Sequence, residues 1–175
     1  LVLEGTKGRI YVEPQNSHID TAAKAKPAWK PDLKVPTPCH DVDRLPMYGM
    51  PTWGDAFTPR QLVALTTFSD LVQEARARVL ADARALGVED DSRGLEAGGR
   101  GATAYADAVA MYLGFCGSRM ADRHSSLCRW DPNPSGYAPK IANTFGRQAL
   151  PMVWDFVEGN PFSTSSGNMV DALDW

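Results

Sequence analysis

Apolar residues recur at steps of three and four along residues 58–86. Leu62, Leu65, Phe68, Leu71, Val72, Val79 and Leu80 form one stripe, with Glu74, Arg76, Arg78, Asp82 and Arg84 largely off it. That period predicts an amphipathic helix. Thr58-Pro59-Arg60-Gln61 marks its start as a capping box with proline at the first helical position. Phe57 and Leu62 are spaced for a hydrophobic staple, and Gly87 is the stop. A second stripe, Tyr105, Ala108, Val109, Tyr112, Leu113, Cys116 and Met120, predicts a helix over residues 102–124. Ala104, Ala106, Ala110, Gly114 and Gly117 keep it thin, which permits close packing. The two helices are expected to form an antiparallel pair. The polar stretch between them carries Gly94, Gly98, Gly99 and Gly101 and reads as a flexible connector.

The remaining sequence is less periodic. Residues 1–14, LVLEGTKGRIYVEP, alternate and fit a short hairpin turning between Gly5 and Gly8, with Ile10 and Val12 on one face. Residues 17–25 suit a short helix capped by Ser17 and ended by Pro27. Six prolines between Pro27 and Pro51 make that segment an extended, wrapping arm. Residues 131–139, DPNPSGYAP, are turn-rich. Asn143 is placed to cap a helix running through Trp154 to Glu158, with Pro151 starting or breaking it, and Ser166 or Asn168 opens a last helix. The fold expected is mainly α (α+β overall): two long antiparallel helices, shorter C-terminal helices, an N-terminal β-hairpin and the proline-rich arm. Residues 1–56 hold the hairpin, short helix and arm; residues 57–175 form the helical domain on which the arm packs.

Composition narrows the class. With 175 residues, 43% of them hydrophobic and 22% charged, the chain reads as a soluble globular domain. A formal net charge of -3 argues against a free-standing polyanion binder, whose footprint is usually basic. Three separated cysteines do not make a disulfide framework and favour a reducing cytoplasm. No apolar run is long enough for a membrane span, and no signal-peptide pattern is present. Leu1 opens in strand-like sequence and Trp175 falls inside a helix start, so the chain reads as a piece of a longer protein.

No complete catalytic motif appears: no nucleotide-binding glycine fingerprint, no nucleophile elbow and no Ser–His–Asp set. Asp131-Pro132-Asn133-Pro134 and Asn160-Pro161-Phe162 approach the D/N-P-P-aromatic motif of amino-methylating enzymes. Pro134 occupies the aromatic position, however, and turn chemistry explains both segments. Cys116, His124 and Cys128, with Cys39 and His40, are candidate zinc ligands, but a buried or half-buried thiol is the commoner fate of such cysteines. Asp41, Asp43 and Asp55 suit capping or a carboxylate site. Gly98-Gly99-Arg100-Gly101 is a weak phosphate loop, better read as connector. The richest segment is residues 125–162. It sets Trp130, Tyr137, Phe145, Trp154, Phe156 and Phe162 among Arg129, Asn133, Asn143, Arg147, Gln148 and Asn160. Such a mixture suits stacking and hydrogen bonding to bases, or a buried aromatic corner.

Three blocks carry a family resemblance: YGMPTWGDAFTPRQLVALTTFSDLV (48–72), HSSLCRWDPNP (124–134) and NTFGRQALPMVWDFVEGNPF (143–162). Together they resemble the large bacterial and archaeal DUF1156-containing proteins, adenine-specific DNA methylases with a zinc ribbon. The resemblance spans most of the chain. It implies that the S-adenosylmethionine loop and the zinc-binding cysteines lie upstream, and the D-P-P-Tyr motif downstream. No catalytic, cofactor-binding or metal residue is then carried by this piece, and S-adenosylmethionine belongs to the parent. The chain would be a helical insert of a DNA adenine N6-methyltransferase, shaping the DNA cleft or positioning the target strand. Its partners would be DNA, the rest of the methyltransferase and associated subunits. Such an enzyme takes its base out of the stack. Arg60, Gln61, Arg129, Trp130, Asn143 and Arg147 are the expected DNA-contact residues. The alternative is a non-catalytic structural or partner-docking helical module.

Overall fold

The computed structural model describes residues 1–5, 8–36, 44–132, 139–147, 149–164 and 166–173. The fold is mainly α with some β. Its order is β1 (Val2–Gly5), β2 (Gly8–Tyr11), α1 (Asn16–Ala23), α2 (Pro59–Ala85), α3 (Ala102–Ala121), β3 (Arg129–Asp131), β4 (Lys140–Ala142) and α4 (Met169–Leu173), with short 3-10 turns at Leu45–Tyr48 and Trp53–Ala56. Strands β1 and β2 pair antiparallel with Leu3 opposite Ile10. Leu3, Ile10 and Tyr11 are all exposed. The cap of α1 is Gln15 rather than Ser17, and the Gln15 amide donates to Nδ1 of His18 at 3.1 Å.

Helix α2 begins as its sequence predicts. The Thr58 hydroxyl accepts from the Gln61 amide at 3.3 Å, and Gln61 Oε1 accepts from the Thr58 amide at 2.9 Å. Two otherwise orphaned donors of the first turn are thereby satisfied. Gly87, at φ +78°, lets the chain turn away after the helix. Helices α2 and α3 pack antiparallel. Arg76, in the second half of α2, meets Asp107, in the second turn of α3, at 2.6 Å, while Leu65 of α2 and Ala121 of α3 line one groove near opposite sequence ends.

The face that α3 buries differs from the expected stripe. Ala102, Ala104, Ala106 and Met120 are buried, whereas Tyr105 and Tyr112 are 59% and 71% exposed. Met111 and Phe115 are exposed as well, and Phe115 makes an edge-on ring contact with Tyr112. The buried alanines lie in the first turns of α3, beside the connector, and the rings are left outside.

The connector is also a correction. Rather than hanging free, it is tied at both ends. Asp90 accepts from Arg84, from the Ser92 amide and from the amide and hydroxyl of Thr103; Asp107 accepts from the Leu95 amide. Those hydrogen bonds hold the Asp90 carboxyl well below the usual carboxylate range, Arg84 contributing most. A Cβ on Gly101 would lie 2.5 Å from the Glu89 carbonyl oxygen, which explains the glycine by close backbone approach.

The proline-rich arm enters the core. Trp53 and Gly54 amides donate to the Leu33 and Pro31 carbonyls, and the Val35 amide to the Pro51 carbonyl. Val35 and Leu45 then pack with Ala56, Leu127 and Leu150, flanked by Met50, Trp53, Phe57 and Met152. Residues on both sides of position 56 thus share one core. Asp55 closes the 3-10 turn by accepting from the Thr52 amide and hydroxyl, and pairs with Lys30 at 2.6 Å. Asp41, Asp43, Cys39 and His40 lie outside the described residues.

Candidate nucleic-acid interface

The chain after α3 turns back on the end of that helix. Helix ends leave carbonyls without intrahelical partners. Here the Asp122 carbonyl accepts from the Thr144 amide at 2.7 Å and from its hydroxyl at 2.8 Å, while the Asp122 carboxylate accepts from the Phe145 amide. The Ser125 and Thr144 hydroxyls meet at 2.7 Å, with Cys128 Sγ at 3.4 Å from the latter. This buried cluster pins residues 143–147 in place. Among the described residues from Asn143 to Glu158 the expected helix does not form: Thr144 and Phe145 are bonded to the end of α3, and the Val157 amide donates to the Cys128 carbonyl instead. Pro151 also removes a donor that a helix interior would need. Strands β3 and β4 pair across what read as a simple turn, with Trp130 opposite Ile141.

That ladder sorts the expected contact residues. Trp130 shares a face with Ile141, which is buried. Arg129 and Ala142 face the other way and line an open groove of about 300 Å³ with Leu127, Asn143, Thr144, Gly146, Arg147, Pro151, Met152 and Val153. The structure therefore brings Arg129, Asn143 and Arg147 together. Arg129 lies 3.6 Å from Asp131, and Arg147 has no ion-pair partner among the described residues. Phe145 and Trp154 are sequence neighbours of lining residues and do not themselves line the groove. They are 57% and 79% exposed. Trp154 is supported edge-on by Tyr48, ring centroids 5.8 Å apart.

Arg60 and Gln61 are elsewhere. Gln61 is buried and engaged in the cap of α2. Arg60 donates to Glu158 at 2.8 Å, and that bond raises its pKa further. Sequence reasoning grouped all six by residue type; only three share a surface.

The other candidate sites resolve into structural roles. His124 is buried with Nε2 2.6 Å from the Gly167 carbonyl; burial pushes its pKa down, against that hydrogen bond and the nearby Glu158. Cys128 is buried in the hydroxyl cluster. Among the described residues no three His, Cys, Asp or Glu side chains gather as a metal site. The Gly98–Gly101 loop does not fit a phosphate or cofactor: the Ala102 amide is taken by the Glu89 carbonyl and the Thr103 amide by Asp90, with Asp91 beside them. Asn133, Pro134, Tyr137 and Gln148 lie outside the described residues. Asn160-Pro161-Phe162 is a turn in which Asn160 Oδ1 accepts from the Phe162 amide. No described helix is long and apolar enough to cross a membrane. Comparison with known proteins returns no relative: no family model matches the chain, and neither a curated protein nor a solved structure matches it.

Proposed function

We propose that this chain is the helical insert of an S-adenosylmethionine-dependent DNA adenine N6-methyltransferase and that it contacts DNA through the groove of Arg129, Asn143 and Arg147. The observation that carries the contact is the convergence of two guanidinium groups and an amide on one exposed groove. Guanidiniums and amides are the usual donors to phosphate and base edges. The enzyme assignment rests on the sequence blocks; the methyl donor and the D-P-P-Tyr motif belong to other parts of the parent. The role left for these residues is to hold the strand while the target base leaves the stack.

The test is salt dependence. Replacing Arg129 and Arg147 together by alanine is expected to weaken DNA binding. It should also reduce the slope of log K against log salt by up to about 1.8 for duplex DNA, at about 0.9 per phosphate contact. Arg147 contributes the larger part, because Arg129 already has Asp131 beside it. An unchanged slope rejects the contact.

A second reading, a partner-docking module, is favoured by one observation. Tyr105, Met111, Tyr112 and Phe115 leave an exposed apolar stripe on α3. No measurable affinity for DNA in the same assay leaves this reading in place of the first. Under the first reading, the remainder of the methyltransferase is the natural cover for the stripe.

A further inference from the structure

The groove between α2 and α3 measures about 560 Å³. Leu65 and Val72 stand on its α2 side, and Ala110, Met111, Gly114 and Gly117 on its α3 side. None of the described residues lining it is charged. A Cβ at Gly114 or Gly117 would meet nothing within 4 Å. Neither glycine is therefore there to bring α2 and α3 together, although glycine inside a helix costs stability. Met111 has the opposite character: it lines the same groove and is 51% exposed. Tyr105 and Tyr112, two turns apart, mark a different side of α3 and do not line the groove.

Helix α3 carries both halves of a contact. When two copies of it run antiparallel about a two-fold axis at Gly114, residues equally far before and after position 114 stand opposite one another. Met111 of each copy then meets Gly117 of the other, and Ala110 meets Ser118. A large side chain enters an open place on both sides of the axis, as the self-complementary patch of a two-fold dimer requires. No like charges are opposed, because the described lining is uncharged and α3 has no charged residue between Asp107 and Arg119. The available surface is sufficient. The chain has a mass of 19.1 kDa and exposes 12015 Å². A monomer of that mass exposes about 8,400 Å², which leaves roughly 3,600 Å² in excess. A standard interface covers only about 800 Å² on each partner.

We infer that the occupant of this groove is α3 of a second copy of the chain, giving a two-fold dimer in which Met111 of each copy seats on Gly117 of the other. A second copy fits better than an unrelated apolar helix, because α3 supplies the protruding side chain and the open place at equal distances from one axis. The inference is independent of the DNA reading, since no residue lining the Arg129–Arg147 groove takes part.

The experiment uses the full 175-residue chain. Sedimentation velocity across a concentration series is expected to show a species of twice the 19.1 kDa mass. Gly117→Leu fills the open place, and Met111→Ala removes the side chain that enters it. Each is expected to weaken dimerisation by roughly tenfold or more. Position 117 opens on free space within its own chain, so Gly117→Leu is expected to fold, with an unchanged far-UV circular dichroism spectrum as the check. Tyr105→Ala, on a different side of α3, keeps the dimer. A chain that is monomeric at every concentration overturns the inference. So does a dimer that both Gly117→Leu and Met111→Ala leave intact, or one that Tyr105→Ala dissociates as readily as they do.

Discussion

Leu45→Ala tests whether the proline-rich arm is part of the core. Leu45 opens the 3-10 turn Leu45–Tyr48 and is 1% exposed. Its neighbours come from the arm itself, from Ala56, and from Leu127 and Leu150 far along the chain. Truncation removes the transfer free energy of the lost methyl groups and leaves a cavity, together about 2–5 kcal/mol for a buried leucine. Collapse into the cavity is restricted here. The Val35, Trp53 and Gly54 amides hold the arm at fixed positions, so we place the loss near the middle, at about 3 kcal/mol. For a chain of this size that corresponds to a fall in Tm of about 6–12 °C, at roughly 2–4 °C per kcal/mol.

Urea unfolding followed by tryptophan fluorescence gives the same quantity as a lower midpoint at constant slope. Leu33→Ala is the control, since Leu33 lies in the same arm but is 71% exposed; it is expected to change stability by no more than about 0.5 kcal/mol. If Leu45→Ala and Leu33→Ala behave alike, the arm does not belong to the cooperative core. The consequence reaches the groove. Leu127 belongs to this cluster and Met152 packs on it, and both also line the groove.

Gly101→Ala places a Cβ 2.5 Å from the Glu89 carbonyl oxygen and 2.6 Å from Asp90 Cα, so we expect a loss of about 1–3 kcal/mol. Gly114→Ala meets open space inside α3 and should instead stabilise by about 0.5–1 kcal/mol; thermal melts that shift both variants the same way would contradict this placement of the connector. Stability should fall in two stages on acidification. Burial holds His124 neutral below its ordinary 6.5, so the unfolded chain takes the proton first and stability declines as pH falls through 6.5 toward the folded value. Hydrogen bonds from Lys30 and then Thr52 hold the Asp55 carboxyl at about 2, below its ordinary 3.8, so its contribution is present above 3.8 and is lost as pH falls toward 2. Urea midpoints measured from above neutrality downward check both, and a midpoint that ignores the first window would refute the buried neutral His124.

What was legible in the sequence is what depends on near neighbours. The Thr58–Gln61 cap needs only two residues three apart, and both bonds form as the spacing predicts. Asn168 caps α4 in the same local way, accepting from the Asp171 amide. Long-range competition decided the misses. Asn143 is a sound helix cap by residue type, but its neighbour Thr144 finds the end of α3 first and bonds to Asp122. Arg60 and Gln61 resemble contact residues in composition, yet Glu158, nearly a hundred positions away, and the local cap claim them. The Arg129–Arg147 groove was only half legible, because it exists through the β3–β4 ladder and the Thr144 anchor, neither of which shows as periodicity.

The orientation of α3 has a chemical consequence for function. Reading the large residues inward made Tyr105 and Tyr112 core; instead Ala102, Ala104 and Ala106 are buried and the rings lie outside. The chain therefore exposes two surfaces of different character. Between Asp107 and Arg119, α3 has no charged residue, so Met111, Tyr112 and Phe115 offer nothing on their own helix to neutralise a phosphate. Such a surface suits another apolar protein face. Arg129, Asn143 and Arg147 instead line a groove, whose guanidinium and amide donors suit phosphates and base edges. The two functional readings thus draw on separate residues. Substitutions on α3 should leave the salt dependence of DNA binding untouched, and substitutions in the groove should leave the α3 face intact.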